Sequence, residues 1–383
     1  MKSIKSFILY GIIILLCIAA FAGYFVSRNN SLSAVSAPET VSTTEAASAS
    51  GAASTTEAVS ARETESQRDQ HVLEIMRKSA QIPSPNPVVG VGRGTDYGKA
   101  FNDAVENAGG LKNIVKKGDT VVIKPNLITL AVSDGPVITD YRVIQSIADL
   151  ANACGAAKVI VAEASPYGYI YEVAGYEQIT GVELVDMNKA KEEDCYLLKP
   201  EKSLTGKKFY IPKVYMDADV VIGAAKLKTH IDTGVTLSLK LSMGVPPLSF
   251  YAASGMGKIK LHNMGLDNVI VDLNKIRKPD FVVIDGIIGG EGEGPINVTP
   301  VDSQIMFAGA DPVAVDTAAM KFMGLTFVDG PHVELAGKEG LGISDLDRIK
   351  VVGADLDAIQ RPFRVSYIWA MQHGRTEFNG QAD

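Results

Sequence analysis

Short runs rich in valine and isoleucine recur along this chain, and four of them end in a charged residue. Lys124 follows Val121, Val122 and Ile123; Glu163 follows Val159, Ile160 and Val161; Lys226 follows Val220, Val221 and Ile222; Asp285 follows Val282, Val283 and Ile284. Continuous apolar runs of this length suit strands buried on both faces, and helical patterns lie between them. The alternation predicts an α/β fold with a mostly parallel open sheet flanked by helices. Expected strands are 88–91, 120–123, 158–162, 219–222, 281–284, 303–307 and 348–352. Expected helices are 96–108, 141–153, 266–277 and 312–323, the last with Asp311 as N-cap and Pro312 at its first position. Ligands of open α/β sheets bind beyond the carboxyl ends of the strands, so the four terminal charges are expected to converge on one site.

The first seventy residues follow different rules. Phe7 to Val26 carries no charge and is long enough to cross a bilayer as a helix. Lys2 and Lys5 precede it and Arg28 follows, which places the N-terminus in the cytoplasm and the remainder outside. The expected organisation is a transmembrane signal anchor (1–28), a disordered linker (29–70) rich in Ser, Thr, Ala and Glu, and an extracytoplasmic domain (71–383). The protein is then a single-pass component of the cell membrane. Cleavage near Ala22, behind an A-x-A site, is the alternative and yields a secreted domain. Leu16 before Cys17 disfavours lipidation. A short helix is expected at 71–79, ended before Pro83, Pro85 and Pro87.

Within the domain the densest constellation is Lys226 to Lys240. Lys226, Lys228 and His230 are spaced two apart, as are Thr236, Ser238 and Lys240, so an extended chain would set each trio on one face. Ammonium groups neutralise carboxylate or phosphate and hydroxyls orient it, so the partner expected is a small anion. A net charge of −7 and the lack of a basic stripe argue against nucleic acid. Candidate ligand-binding residues are Lys124, Asn126, Glu163, Lys226, Lys228, Thr236, Gly292 and Gly294, and candidate catalytic residues are His230, His262 and Lys240. His262 closes a second basic stretch with Lys258 and Lys260. Asp285, Glu291 and Glu293 are candidate ligands for a divalent metal, with Asp311 and Asp316 supporting.

Several classes lack their signatures. No phosphate-binding G-x-x-x-x-G-K-[ST] run exists, Gly90, Gly92 and Gly94 do not have dinucleotide spacing, and there is no G-x-S-x-G elbow. Cys154 and Cys195 can form a disulfide or remain thiols, and the three cysteines present fall short of an iron-sulfur cluster.

Lys124-Pro125-Asn126-Leu127, then Lys226 to His230, Gly292 to Pro295 and Asp311 to Asp316 occur in the order of the motifs of DUF362, a domain of unknown function, which the chain resembles over about 88–363. Leu241 and Glu293 stand where that family's pattern has Asn or an Asn-like residue. A more remote similarity of layout is to lactate racemase, a nickel-cofactor enzyme, which would suit a pocket of Lys and His. Some DUF362 relatives carry a ferredoxin-like cluster domain, so the resemblance also admits a redox partner that borrows its cluster. The leading expectation is an enzyme acting on a small anion, with a tethered, non-catalytic anion-binding protein as the alternative.

Overall fold

The computed structural model describes residues 67, 69–129, 131–168, 170–253 and 257–374. The anchor, its cleavage site and most of the linker lie outside these residues. Among the described residues no helix is long and apolar enough to cross a membrane.

Eleven strands are formed among the described residues: β1 (Val88–Arg93), β2 (Thr120–Pro125), β3 (Lys158–Glu163), β4 (Glu183–Asp186), β5 (Cys195–Leu198), β6 (Phe209–Pro212), β7 (Val220–His230), β8 (Gly234–Val235), β9 (Phe281–Glu293), β10 (Asn297–Gly309) and β11 (Lys350–Val352). Nine build one sheet in the order β11-β1-β10-β9-β7-β2-β3-β4, with β8 attached to β7, and β5 and β6 form a separate ribbon. The run from β9 through β7, β2 and β3 to β4 is parallel, while β10 is antiparallel to both of its neighbours. The mostly parallel α/β sheet expected from the apolar runs is therefore present, with one antiparallel strand inserted.

Strand residues alternate between two apolar cores. Val121, Ile123, Val159, Val161, Val220 and Ile222 pack with the helices Tyr97–Asn107 and Tyr141–Ala153, while Val122, Ile160 and Val221 pack with Leu266–Arg277 and Pro312–Phe322 on the other face. Both faces are buried, which is why these strands are apolar throughout. Gly90 and Gly92 belong to this packing. A Cβ on either would stand about 2 Å from a backbone oxygen of the Tyr97–Asn107 helix, Ala104 O or Ala100 O. Those glycines let helix and strand approach closely.

Two expectations change, and one open alternative is resolved. Strand β7 extends eight residues beyond Ile222, and β9 runs nine beyond Ile284, so Lys226, Lys228, His230, Asp285, Glu291 and Glu293 lie within strands and not in loops past them. The N-terminal helix includes residues 69–79, beginning ahead of the expected His71. Cys154 and Cys195 are free thiols; burial raises the latter to about 11, which keeps it protonated and unreactive.

Candidate functional site

The four strand-end charges do not meet at one point. They form two separate pairs across neighbouring strands. Lys124 meets Glu163 at 2.6 Å between β2 and β3, and Lys226 meets its register partner Asp285 at 2.8 Å between β7 and β9. The second pair is closed to any ligand. Both side chains are wholly buried, and the Asp285 carboxylate also accepts the backbone N–H groups of Asp140 and Ile287. Lys228 is equally committed, donating to the carbonyls of Val137 and Pro295. Both lysines are thus spent on partners within the fold, and of that trio only His230 lines open space.

That space is a cavity of about 310 Å³ beyond the carboxyl ends of β2, β3 and β7. Its walls include Lys124, Asn126, Glu163, His230, Thr236, Lys240 and His262 from the sequence candidates. Asp232, Tyr167, Met243 and Gly244 complete it without any sequence signal of their own, and Lys258 joins from the stretch that ends at His262. Gly244 is there because nothing larger fits. A Cβ would stand 2.2 Å from Glu163 Oε1 and 2.5 Å from Lys124 Nζ.

Lys240 is held by an unusual piece of backbone. Leu237 takes φ 52, a left-handed conformation that costs free energy in a branched residue, and this breaks the alternation expected for Thr236, Ser238 and Lys240. The Asp316 carboxylate fixes the turn by accepting the N–H groups of Ser238 (2.8 Å) and Leu239 (2.9 Å). Burial nevertheless raises Asp316 to about 7. Thr236 and Lys240 then face the cavity, while the Ser238 hydroxyl turns to the Pro312 carbonyl. Asp311 caps the Pro312–Phe322 helix through the Ala314 N–H and also accepts from Ile343.

The two cavity histidines carry opposite hydrogen-bond patterns. His230 Nδ1 accepts the Asp232 backbone N–H at 3.0 Å, so its neutral ring carries the proton on Nε2. Burial, then Lys240 and Lys228, hold its charged form well below the usual histidine range, so the ring is neutral near pH 7. His262 Nδ1 lies 3.1 Å from the Lys258 carbonyl, which can only accept. Nδ1 is therefore the protonated nitrogen of neutral His262, and among the described residues its Nε2 has no hydrogen-bond partner. One ring presents an N–H and the other a lone pair.

Charge in the cavity is unevenly compensated. Burial lowers Lys124 and raises Glu163, each effect opposed by the partner's charge. Burial brings Lys258 to about 7 and Lys240 to about 8. Lys258 donates to the Met243 carbonyl; Lys240 makes no hydrogen bond or ion pair among the described residues. Asn126 Oδ1 and Thr236 Oγ1 are buried here without hydrogen-bond partners among the described residues. Unsatisfied polar atoms in a cavity wall are what a polar ligand would complete.

The carboxylates considered for metal have other employment. Asp285 is paired with Lys226, Glu291 binds Arg364 at 2.8 Å, and Glu293 accepts from Ser366 Oγ and the Tyr367 N–H, each at 2.6 Å. Among the described residues no group of three or more His, Cys, Asp or Glu is arranged to hold a metal ion. Gly292 and Gly294 also lie off the cavity. Gly294 packs against the Thr229 carbonyl of β7, and its neighbours Pro295 and Ile296 line the wall in its place.

The model of the domain of unknown function DUF362 matches residues 121–321, more than half of the sequence. The chain belongs to the DUF362 family. All the residues that line the cavity, from Lys124 to Ile296, fall within that DUF362 segment. A thylakoid-associated protein of Synechocystis sp. is 29% identical over 249 residues, covering 63% of this chain and 73% of that protein. Two solved structures share weaker likeness: the lactate racemase apoprotein of Thermoanaerobacterium thermosaccharolyticum (14% identity, TM-score 0.42, 64% of this chain) and a Thermotoga maritima protein (13% identity, TM-score 0.35, 63% of this chain). The DUF362 chain spans 58% of each of those two structures.

Proposed function

We propose that this DUF362 protein is an enzyme that binds a small anion in the cavity beside β2, β3 and β7 and moves a proton on it. The opposed histidines carry this reading: His262 Nε2 is available to take a proton, and the neutral His230 ring offers an N–H to the oxygen on which charge develops. Lys240 and Lys258 supply positive charge, the Thr236 hydroxyl can donate to the anion, and Asn126 Oδ1 can accept from a donor group on the substrate. A proton next to a carboxylate or carbonyl is the chemistry this set suits, because base and oxyanion donor share one wall-to-wall space.

The test is solvent exchange. Small 2-hydroxy, 2-oxo and 2-amino carboxylates are incubated with the protein in D₂O and followed by NMR. The enzyme reading expects deuterium at C2 of a 2-hydroxy or 2-amino acid, or at C3 of a 2-oxo acid, with at least one of them, and a His262→Gln variant that binds without exchanging. Binding with no exchange across the panel would instead support a protein that only captures the anion.

The same reading places the domain at a membrane by its Phe7–Val26 segment, and the description of the Synechocystis relative as thylakoid-associated favours membrane association. Fractionating cells that express the full chain or the chain without residues 1–28 tests this: only the full chain should sediment with membranes after a salt wash.

A further inference from the structure

Three lysines line the cavity, and two of them are already employed. Lys124 is bound to Glu163 and donates to the Pro125 carbonyl; Lys258 donates to the Met243 carbonyl at 2.9 Å. Lys240 is only 8% exposed and has no such partner among the described residues. The carboxylate that acts on it is Asp232, whose side chain is 41% exposed and therefore screened by water. A buried ammonium without a partner is costly, so burial brings Lys240 down to about 8, and the neutral amine becomes accessible just above neutral pH. The backbone that carries the amine is also held firmly. Asp316 fixes the backbone on its N-terminal side, and Asn274 Nδ2 donates to the Leu239 carbonyl at 2.9 Å. A rigid turn that presents an unemployed amine to a cavity is the arrangement a nucleophile needs.

We infer that Lys240 Nζ forms an imine with the carbonyl carbon of a small 2-oxo acid bound in the cavity. This rests on the anion-site reading and deepens it by naming the substrate class. The nitrogen lone pair forms the C–N bond while the carbonyl electrons move to oxygen, where the His230 N–H stabilises the charge. His262 takes the proton from nitrogen and returns it to that oxygen, giving the carbinolamine. A second transfer by the same route releases the oxygen as water as the C=N bond closes. One amine and one carbonyl give one imine and one water, with no oxidant or reductant required. The carboxylate of the acid lies between the Lys258 ammonium and the Thr236 hydroxyl.

The experiment is reductive trapping on the full chain in detergent, with pyruvate, glyoxylate or 2-oxoglutarate and borohydride, read by intact mass and peptide mapping. Calorimetry without reductant measures binding of the same acids and of their 2-hydroxy counterparts. The expected result is a single reduced adduct on Lys240 and its loss in Lys240→Met; should that variant fail to fold, the mapped position in the unaltered protein decides. Binding without an adduct, or an adduct on Lys258 or scattered over surface lysines, overturns the imine and leaves the anion site standing. If neither the 2-oxo nor the 2-hydroxy acids bind, both readings fall.

Discussion

Lys226 and Lys240 stand on either side of one reversal of the chain, each in a run of polar residues spaced two apart, yet their surroundings are opposite. Strand β9 lies against Lys226 and presents Asp285 in register, so the charge is neutralised where it is buried. Among the described residues no element gives Lys240 a hydrogen-bond or ion-pair partner, and the carboxylate that acts on it, Asp232, is 41% exposed. The difference separates a polar group that holds the sheet together from one that is left for a ligand. Identical side chains at similar spacing thus take their roles from the partner strand, and that is where substitutions should discriminate between them.

The largest effect is expected at the closed pair. Lys226→Met strands the Asp285 carboxylate in the core and should cost about 3–5 kcal/mol of unfolding free energy in urea, because removing one partner of a buried ion pair leaves an uncompensated charge. Lys240→Met removes an unpartnered ammonium and should change stability by no more than about 1 kcal/mol. Equal losses at the two positions would break the contrast. Next in size is Gly244→Ala, whose new methyl group must displace the Lys124–Glu163 pair. A loss of roughly 1–3 kcal/mol is expected from overpacking, with weaker anion binding by calorimetry because Lys124 and Glu163 form the cavity wall. Unchanged stability would mean that the pair shifts freely.

The contrast also explains how much could be read from the residues alone. The sheet was legible because valine and isoleucine runs buried on both faces have few alternative folds, and the membership of Lys124, Asn126, Glu163, His230, Thr236, Lys240 and His262 in one cavity was legible from their places at strand ends and in the basic stretches. Which charges would neutralise one another was not. Lys226 and Asp285 are 59 residues apart, and only the pairing of β7 with β9 brings them into register. Glu291 and Glu293 looked like metal ligands because their acidic, glycine-rich setting resembles a loop, whereas they extend β9 and hold Arg364, Ser366 and Tyr367 near the C-terminus. His332 went unnoticed for a related reason. It is wholly buried with no hydrogen bond to either ring nitrogen among the described residues, Asp267 Oδ1 lying 3.7 Å from Nδ1; burial lowers it to about 3, and its place near Lys240 depends on a helix distant in sequence.

A smaller effect should appear with pH. The lysines hold an anion only when protonated, and burial brings Lys258 to about 7 and Lys240 to about 8. Affinity for sulfate, which stays ionised throughout, is expected to be greatest below pH 7 and to fall by about tenfold, on the order of 1.4 kcal/mol, as pH rises through both values. Isothermal titration between pH 6 and 9 measures it, and a flat profile would show that Lys240 and Lys258 are not the anion's partners.

The smallest expected change in stability sharpens the comparison most. Thr236 Oγ1 is buried with no hydrogen-bond partner among the described residues, so Thr236→Val removes a polar atom that they leave unused. Exchanging hydroxyl for methyl preserves shape, and stability should shift by no more than about 0.5 kcal/mol, in either direction. Affinity should nevertheless fall, because the hydroxyl's hydrogen bond is completed only by the ligand. Thermal unfolding with and without a saturating anion separates the two: the bare transition stays in place and the ligand-induced rise shrinks. A hydroxyl that served the fold would show the reverse, with a lowered bare transition and an unchanged rise, and Thr236 would then belong with Lys226 and not with Lys240.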